Sequence, residues 1–331
     1  MSYTNGLDKP SDYFSAKLYT GTGSQLAVTG VGFQPDWIWF KNRGTTNSHG
    51  LQDVVRGFNT TGIQSTNGTD ADPAFNGSTL GYVSAVGSDG FTVEAGNCAN
   101  ASSNTYVAWN WKETATAGFD IVSYTGNGSN RTISHSLSAV PSVIIIKDRD
   151  GVSSWIFGHK SLGFTKNLFL QTTEAAYTSS NIFNNTSPTS SVFSVGTSGH
   201  VNDNGHDYIS YLFSEKKGYS KFGSYTGNGN SDGTFVYTGF KPAWLLAKKS
   251  SGTADWFLID NKRSTINPTN HQLEANSSAA EDASGRFDFL SNGFKCVSSS
   301  TGSNGSGTEY IFMAFAENPF ATSTGIPTTA R

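Results

Sequence analysis

The chain has 331 residues, 14 % of them charged, and a formal net charge of -3, which gives no electrostatic reason to expect nucleic acid. The length invites two or three domains. Aromatics at 13 % and 37 glycines point to an all-β chain with many turns, because the Ala-, Leu-, Glu- and Lys-rich runs of long helices are missing.

Met1 leads straight into the polar SYTNGLDKPSD, without the basic and apolar regions of a secretory signal. No apolar run approaches the ~18 residues of a membrane helix, so membrane insertion is not expected. Cys98 and Cys296 fall at non-equivalent places, and no disulfide framework is expected.

After an N-terminal segment, 1–12, the elements follow in order. Tyr19-Thr-Gly-Thr-Gly23 reads as a turn. Pro35-Asp-Trp-Ile-Trp-Phe-Lys41 reads as a strand whose two tryptophans are either a sugar-stacking platform or core. His49-Gly-Leu-Gln-Asp53-Val-Val-Arg56 comes next, and then Ser88-Asp-Gly-Phe-Thr-Val93, where the glycine lets the chain reverse into a strand. The closing strand runs from Tyr106 to Glu113. Val107, Trp109 and Trp111 share one face of it, and Tyr106, Ala108 and Asn110 the other. Apolar residues on both faces suit a strand covered on both sides.

All of this returns twice. Tyr19-Thr-Gly is repeated at Tyr124 and Tyr225, spacings of 105 and 101 positions. The proline-to-lysine strand is repeated as Pro141–Lys147 and Pro242–Lys248, and the closing strand as Tyr208–Glu215 and Tyr310–Glu317. The units are 13–114, 118–216 and 219–320, with a tail at 321–331. Joins as short as TATAG and KKG pack neighbours together.

About 100 residues of short strands per unit predict three tandem antiparallel β-sandwich domains, jelly-roll or lectin-like, each with its own core. The repeat also decides the tryptophans. Trp37 becomes Val143 and Trp244, and Trp39 becomes Ile145 and Leu246. A core position needs only volume and apolarity, whereas stacking on a sugar needs a flat ring, so both should be buried.

VGFQPDWIWFKNR, the segment through DVVRG, SDGFTV and NTYVAWNWK resemble a β-sandwich repeat common in virion structural proteins of marine tailed phages. The resemblance covers nearly the whole chain and is clearest in the first and third units. It implies a non-enzymatic component of a bacteriophage virion, made in the host cytoplasm and carried on the tail or particle surface. The expected role is a tail-fibre or tail-associated protein with a part in host recognition. Its expected partners are other virion proteins, a host surface glycan or receptor, and copies of itself in a symmetric oligomer. The alternatives are a capsid decoration or cement protein, or a polysaccharide-degrading tail enzyme.

The candidate residues are few, and no catalytic residue, metal site or cofactor is expected. Asp53 and Arg56 of the first unit match Asp260 and Arg263 of the third, while His159 and Leu162 stand there in the second. A guanidinium beside a carboxylate can grip a ligand or form an internal ion pair; the internal pair is the favoured reading. His200, Asp203, His206 and Asp207 form the densest set of potential metal ligands, but at no recognised spacing. They are read as a contact loop special to the second unit. Glu113, Glu215 and Glu317 have no second recurring acid to make a glycosidase pair; a backbone amide or a lysine is the expected partner of each, with Lys41, Lys147 and Lys248 the candidate lysines.

Overall fold

The YTGxG turns show why the chain folds where it does. In a computed structural model, which describes residues 6–328 apart from Pro73, the first glycine of each turn lies under a carbonyl of the loop before the closing strand. A Cβ on Gly21 would stand 2.1 Å from the oxygen of Ala101, on Gly126 2.1 Å from that of Asp203, and on Gly227 2.3 Å from that of Gly305. Only glycine fits. The second glycines, Gly23, Gly128 and Gly229, take φ of +74°, +71° and +73°. Both glycines are thus explained by the backbone, without a nucleotide. Residues 1–5 of the N-terminal segment and 329–331 of the tail lie outside the described residues.

The structure is all-β, with several antiparallel sheets and only short helices. In the first copy, Phe14–Thr20, Thr105–Trp111, Trp37–Asn42 and Gly50–Asp53 form one sheet in that order. Leu26–Thr29, Gly90–Val93 and Val83–Gly87 form a smaller one. The second copy repeats the larger sheet as Phe119–Thr125, Asp207–Phe213, Val143–Asp148 and Ile156–His159, extended by Lys166–Phe169 and Tyr177–Thr178. Its smaller sheet pairs Arg131–Ser134 with Val192–Val195. In the third, Ser220–Thr226, Glu309–Pro319, Phe240–Lys249, Trp256–Asp260 and Gln272–Glu274 face a sheet of Phe235–Tyr237, Gly293–Cys296 and Phe287–Leu290.

Each copy buries an apolar cluster between its two sheets. A fourth cluster joins all three. Trp37, Trp39, Trp109 and Trp111 meet Val143, Ile145, Tyr211 and Phe213 of the second copy and Trp244, Leu246, Met313 and Phe315 of the third. The closing and proline-to-lysine strands are therefore sandwiched, one face in the shared core and one in the copy's own. Trp37 and Trp39 are 2 % and 1 % exposed. The Trp37 ring lies 4.6 Å from that of Trp111 and 4.9 Å from that of Tyr211, so the pair is core and not a platform. Independent cores alone do not describe this chain, because its largest apolar cluster belongs to no single copy.

The contacts between copies form a ring. Asp72 N donates to Arg149 O at 2.8 Å, Ala176 N to Ser250 O at 2.9 Å, and Glu281 N to Arg43 O at 2.8 Å. The same bond thus joins copy one to two, two to three, and three back to one. A ring of side-chain bonds runs beside it: Trp155 Nε1 donates to Ser65 O, Trp256 Nε1 to Phe169 O, and His49 Nε2 to Glu274 O, at 2.9, 3.1 and 2.9 Å.

Candidate functional site

Asp53 and Asp260 each end the strand after the proline-to-lysine strand, and the turn that follows brings an arginine back over the carboxylate. Asp53 Oδ1 accepts from the backbone N–H groups of Val55 and Arg56, and Asp260 Oδ1 from those of Lys262 and Arg263. Each arginine Nε then lies 2.6 Å from the other carboxylate oxygen, and all four side chains are fully buried. A ligand cannot reach these pairs without unfolding the turn.

The pairs are wired into neighbouring copies. Tyr211 of the second copy donates to Asp53 Oδ2 at 2.8 Å and accepts from Arg56 at 3.1 Å. At the equivalent position, Trp109 of the first copy donates to Asp260 Oδ2 at 2.8 Å. Arg56 also reaches Asp72, which holds Arg149 of the second copy at 2.6 Å. Arg263 reaches Glu281, which holds Arg43 of the first copy at 2.8 Å. Burial opposes the Arg56 charge, but Asp53, Tyr211 and Asp72 outweigh it and hold the guanidinium above its ordinary value. Burial likewise opposes ionisation of Asp260, and Arg263 overcomes it, leaving the carboxyl below the usual range.

The joint between the second and third copies lacks this set entirely. His159, Leu162, Ala176 and Ser250 stand where the other joints have Asp, Arg, an acid and Arg. Leu162 and Ala176 pack against the shared core. His159 Nδ1 accepts from Ser161 N at 3.1 Å, and its Nε2 donates to Phe312 O at 3.2 Å. Burial drives its pKa down to about 3, so the ring is neutral. The charged residues are therefore gained or lost as a set, the behaviour of an internal fastening.

His200, Asp203, His206 and Asp207 do not converge. His200 is half-buried, with Nδ1 2.8 Å from Ser153 Oγ and its ring edge-on to Phe169 at 6.0 Å. His206 lies 3.0 Å from Asp148 and 3.8 Å from Asp203; its hydrogen bond to Asp148 raises its pKa. Asp207 accepts from Thr125 Oγ1 at 2.7 Å. Among the described residues, no group of three His, Cys, Asp or Glu side chains could hold a metal ion. What anchors this loop recurs in all copies. Buried Asn100, Asn202 and Asn304 accept from the turn residues Thr22, Asn127 and Asn228. The closing-strand tyrosines accept from Ala101, Asp203 and Gly305 N–H groups.

The glutamates meet a backbone amide or a lysine as expected, but the lysines are not Lys41, Lys147 and Lys248. Lys41, Lys147 and Lys248 stand opposite Val107, Ile209 and Ile311. Each glutamate lies six residues farther along the closing strand, about 20 Å away. The lysines are fully buried and donate to the backbone carbonyls of Asn42, Asp148 and Lys249; burial lowers each to about 8. Glu113 instead accepts from Ile121 N at 3.0 Å. It is pushed up to about 7, first by burial and then by Asp120 and Asp36. Glu215 pairs with Lys160 and Lys221, and Glu317 with Lys241 at 2.7 Å.

Asp72, Glu281, Arg43 and Arg149 escaped the sequence reading. Arg43 and Arg149 each stand two residues beyond an aligned lysine, a signal that was there to be found. Asp72 and Glu281 lie in loops of unequal length, where spacing carries no information.

Among the described residues no helix is long and apolar enough to cross a membrane, and Cys98 and Cys296 are both buried free thiols. No curated protein matches the chain. A family model does match it, from residue 9 to residue 319 and so through all three copies without a break. The chain belongs to the DUF7483 family, described as a domain of unknown function.

Proposed function

We propose that this chain is a non-enzymatic structural protein of a bacteriophage particle. It is built of three β-sandwich units of the lectin-like or jelly-roll kind and carried on the tail or a tail-associated surface, where its outer loops meet the host. The observation that carries the reading is the use made of the recurring charges. Asp53, Arg56, Asp260 and Arg263 are fully buried and brace one copy against the next, so the residues best suited to chemistry are spent on rigidity. Rigidity serves a particle component that must hold its loops at a fixed place. The phage setting is supported by the resemblance of VGFQPDWIWFKNR, SDGFTV and NTYVAWNWK to virion repeats. In this reading the chain is made in the host cytoplasm, docks onto other virion proteins and assembles as a symmetric homo-oligomer.

Imaging of purified particles by electron cryo-microscopy tests the location. Density for this chain at the tail is the expected result; density on the capsid shell would replace the tail version with a cement protein. Adsorption by particles lacking the gene should fall, and unchanged adsorption would remove the host-recognition role. Release of oligosaccharides from host polysaccharide by the pure chain would overturn the non-enzymatic reading.

A further inference from the structure

The tryptophan pair of the first copy is buried, but the third copy displays aromatic rings that the other two lack. Phe235–Tyr237 is the edge strand of its smaller sheet. Val236 points into the core, while Phe235 and Tyr237 face outward, 45 % and 61 % exposed. Tyr237 pairs with Gly293, as Thr29 pairs with Gly90 and Ser134 with Val192. By the same register Phe235 corresponds to Ala27 and Thr132. Phe320, 44 % exposed, stands three residues beyond the closing glutamate, where the other copies have Thr116 and Gly218. The fold is thus completed twice with small residues at all three positions. Packing does not require these rings, and large exposed apolar surface is the informative kind.

Two of the rings line one cavity. Tyr237, Thr238, Gly239, Phe320, Ser220, Lys221 and Glu215 bound a cleft of about 570 Å³, within the range of small-ligand sites. Gly239 lies beside both aromatics. Its φ is +83°, a Cβ there would lie 3.7 Å from the Tyr237 ring, and its carbonyl accepts from Phe320 N at 3.3 Å. Glu215, between Lys160 and Lys221, presents a carboxylate already oriented by two ammonium groups.

We propose that this cleft binds a pyranose ring of a glycan, with Tyr237 and Phe320 offering apolar faces and Glu215 and Lys221 taking the hydroxyls. A sugar ring has the two kinds of surface the cleft has: an apolar face of axial C–H bonds and a rim of hydroxyls, each needing a partner if desolvated. A purely apolar partner would strip water from the Glu215–Lys221 pair and give no hydrogen bonds in return. The proposal names a ligand class for the host contact suggested above, yet rests on the cleft and not on the particle.

The test uses the full chain and tetrasaccharides of glucose, galactose, mannose, N-acetylglucosamine and glucuronic acid, by saturation-transfer NMR and titration calorimetry. At least one should bind, with saturation strongest at its ring C–H protons. Tyr237→Thr and Phe320→Thr carry residues found at these positions in the first copy, so both should fold; each should weaken binding at least tenfold. Tyr177→Ala, an exposed ring elsewhere, should leave binding unchanged. Binding by none of the five, or equal binding by the Tyr237 and Phe320 variants, overturns the proposal. So does a Tyr237-dependent self-association seen by light scattering, which would make the patch an interface between copies. These outcomes are independent of where imaging finds the chain on a particle.

Discussion

Replacing Arg263 by leucine tests whether the buried charges act as a fastening. The variant removes a guanidinium that bonds Asp260 at 2.6 Å, Glu281 at 3.2 Å and the Leu258 carbonyl at 2.8 Å. Asp260 keeps its backbone and Trp109 donors but loses its counter-charge at 0 % exposure. An unpaired buried charge of this kind costs roughly 3–5 kcal/mol, about 4–7 °C in melting temperature when all 331 residues unfold as one cooperative unit. The sign of the pH effect follows. In the parent, Arg263 holds the Asp260 carboxyl down against burial; without it, burial raises that pKa and the penalty falls on the ionised form. The deficit should therefore be full at pH 7–8 and shrink as pH falls toward 4.

A second variant reproduces the neutral joint at the charged one: Asp260→His, Arg263→Leu, Glu281→Ala and Arg43→Ser together. It should recover more than half of the loss, because no charge is left unpaired. Urea unfolding at several pH values, with calorimetry for reversibility, measures both. A loss under about 1 kcal/mol for the single variant, or a fourfold variant no better than the single one, would refute the claim that the set brackets the sheets together.

Three further outcomes are expected. Trp37→Ala should cost roughly 3–5 kcal/mol because its ring fills the shared core against Trp111 and Tyr211, whereas Tyr177→Ala, at a 58 % exposed site, should stay within about 0.5 kcal/mol; equal effects in urea melts would place Trp37 outside the core. Gly126→Ala drives a Cβ to 2.1 Å from the Asp203 oxygen and should lower stability by at least about 2 kcal/mol, with hydrogen exchange rising first in the turn and in the loop around Asp203; an unchanged exchange pattern would refute the close approach. His159, held to about 3 by burial, contributes stability that is complete above its ordinary value of about 6.5 and lost as pH falls from there toward 3. His159→Gln keeps a donor and an acceptor and should flatten that acid limb; an unaltered slope would show that the ring is not held neutral.

Much of the fold was legible because a triplicated sequence compares itself. Trp37 aligned with Val143 and Trp244 exposed the tryptophans as core, and alternating apolar residues marked strands covered on both faces. The Asp-x-x-Arg spacing was also readable, since a turn of three residues brings the arginine back onto its own aspartate. The pairing of the glutamates with Lys41, Lys147 and Lys248 failed because equivalence between copies says that two positions recur, not that they meet. In an antiparallel sheet they stand opposite ends of the closing strand.

The sequence by itself determined the repeat, the strands and the local ion pairs, all of which depend on residues close together in the chain. Tertiary structure alone decided that the third copy returns to the first. Arg43 meets Glu281 across 238 positions, and no periodicity predicts whether a row of three units stays open or closes. Closure follows from geometry. Three sheets, each apolar on both faces, bury the inner faces fully only by meeting around one core, and the ring of hydrogen bonds between copies fixes that meeting at every joint.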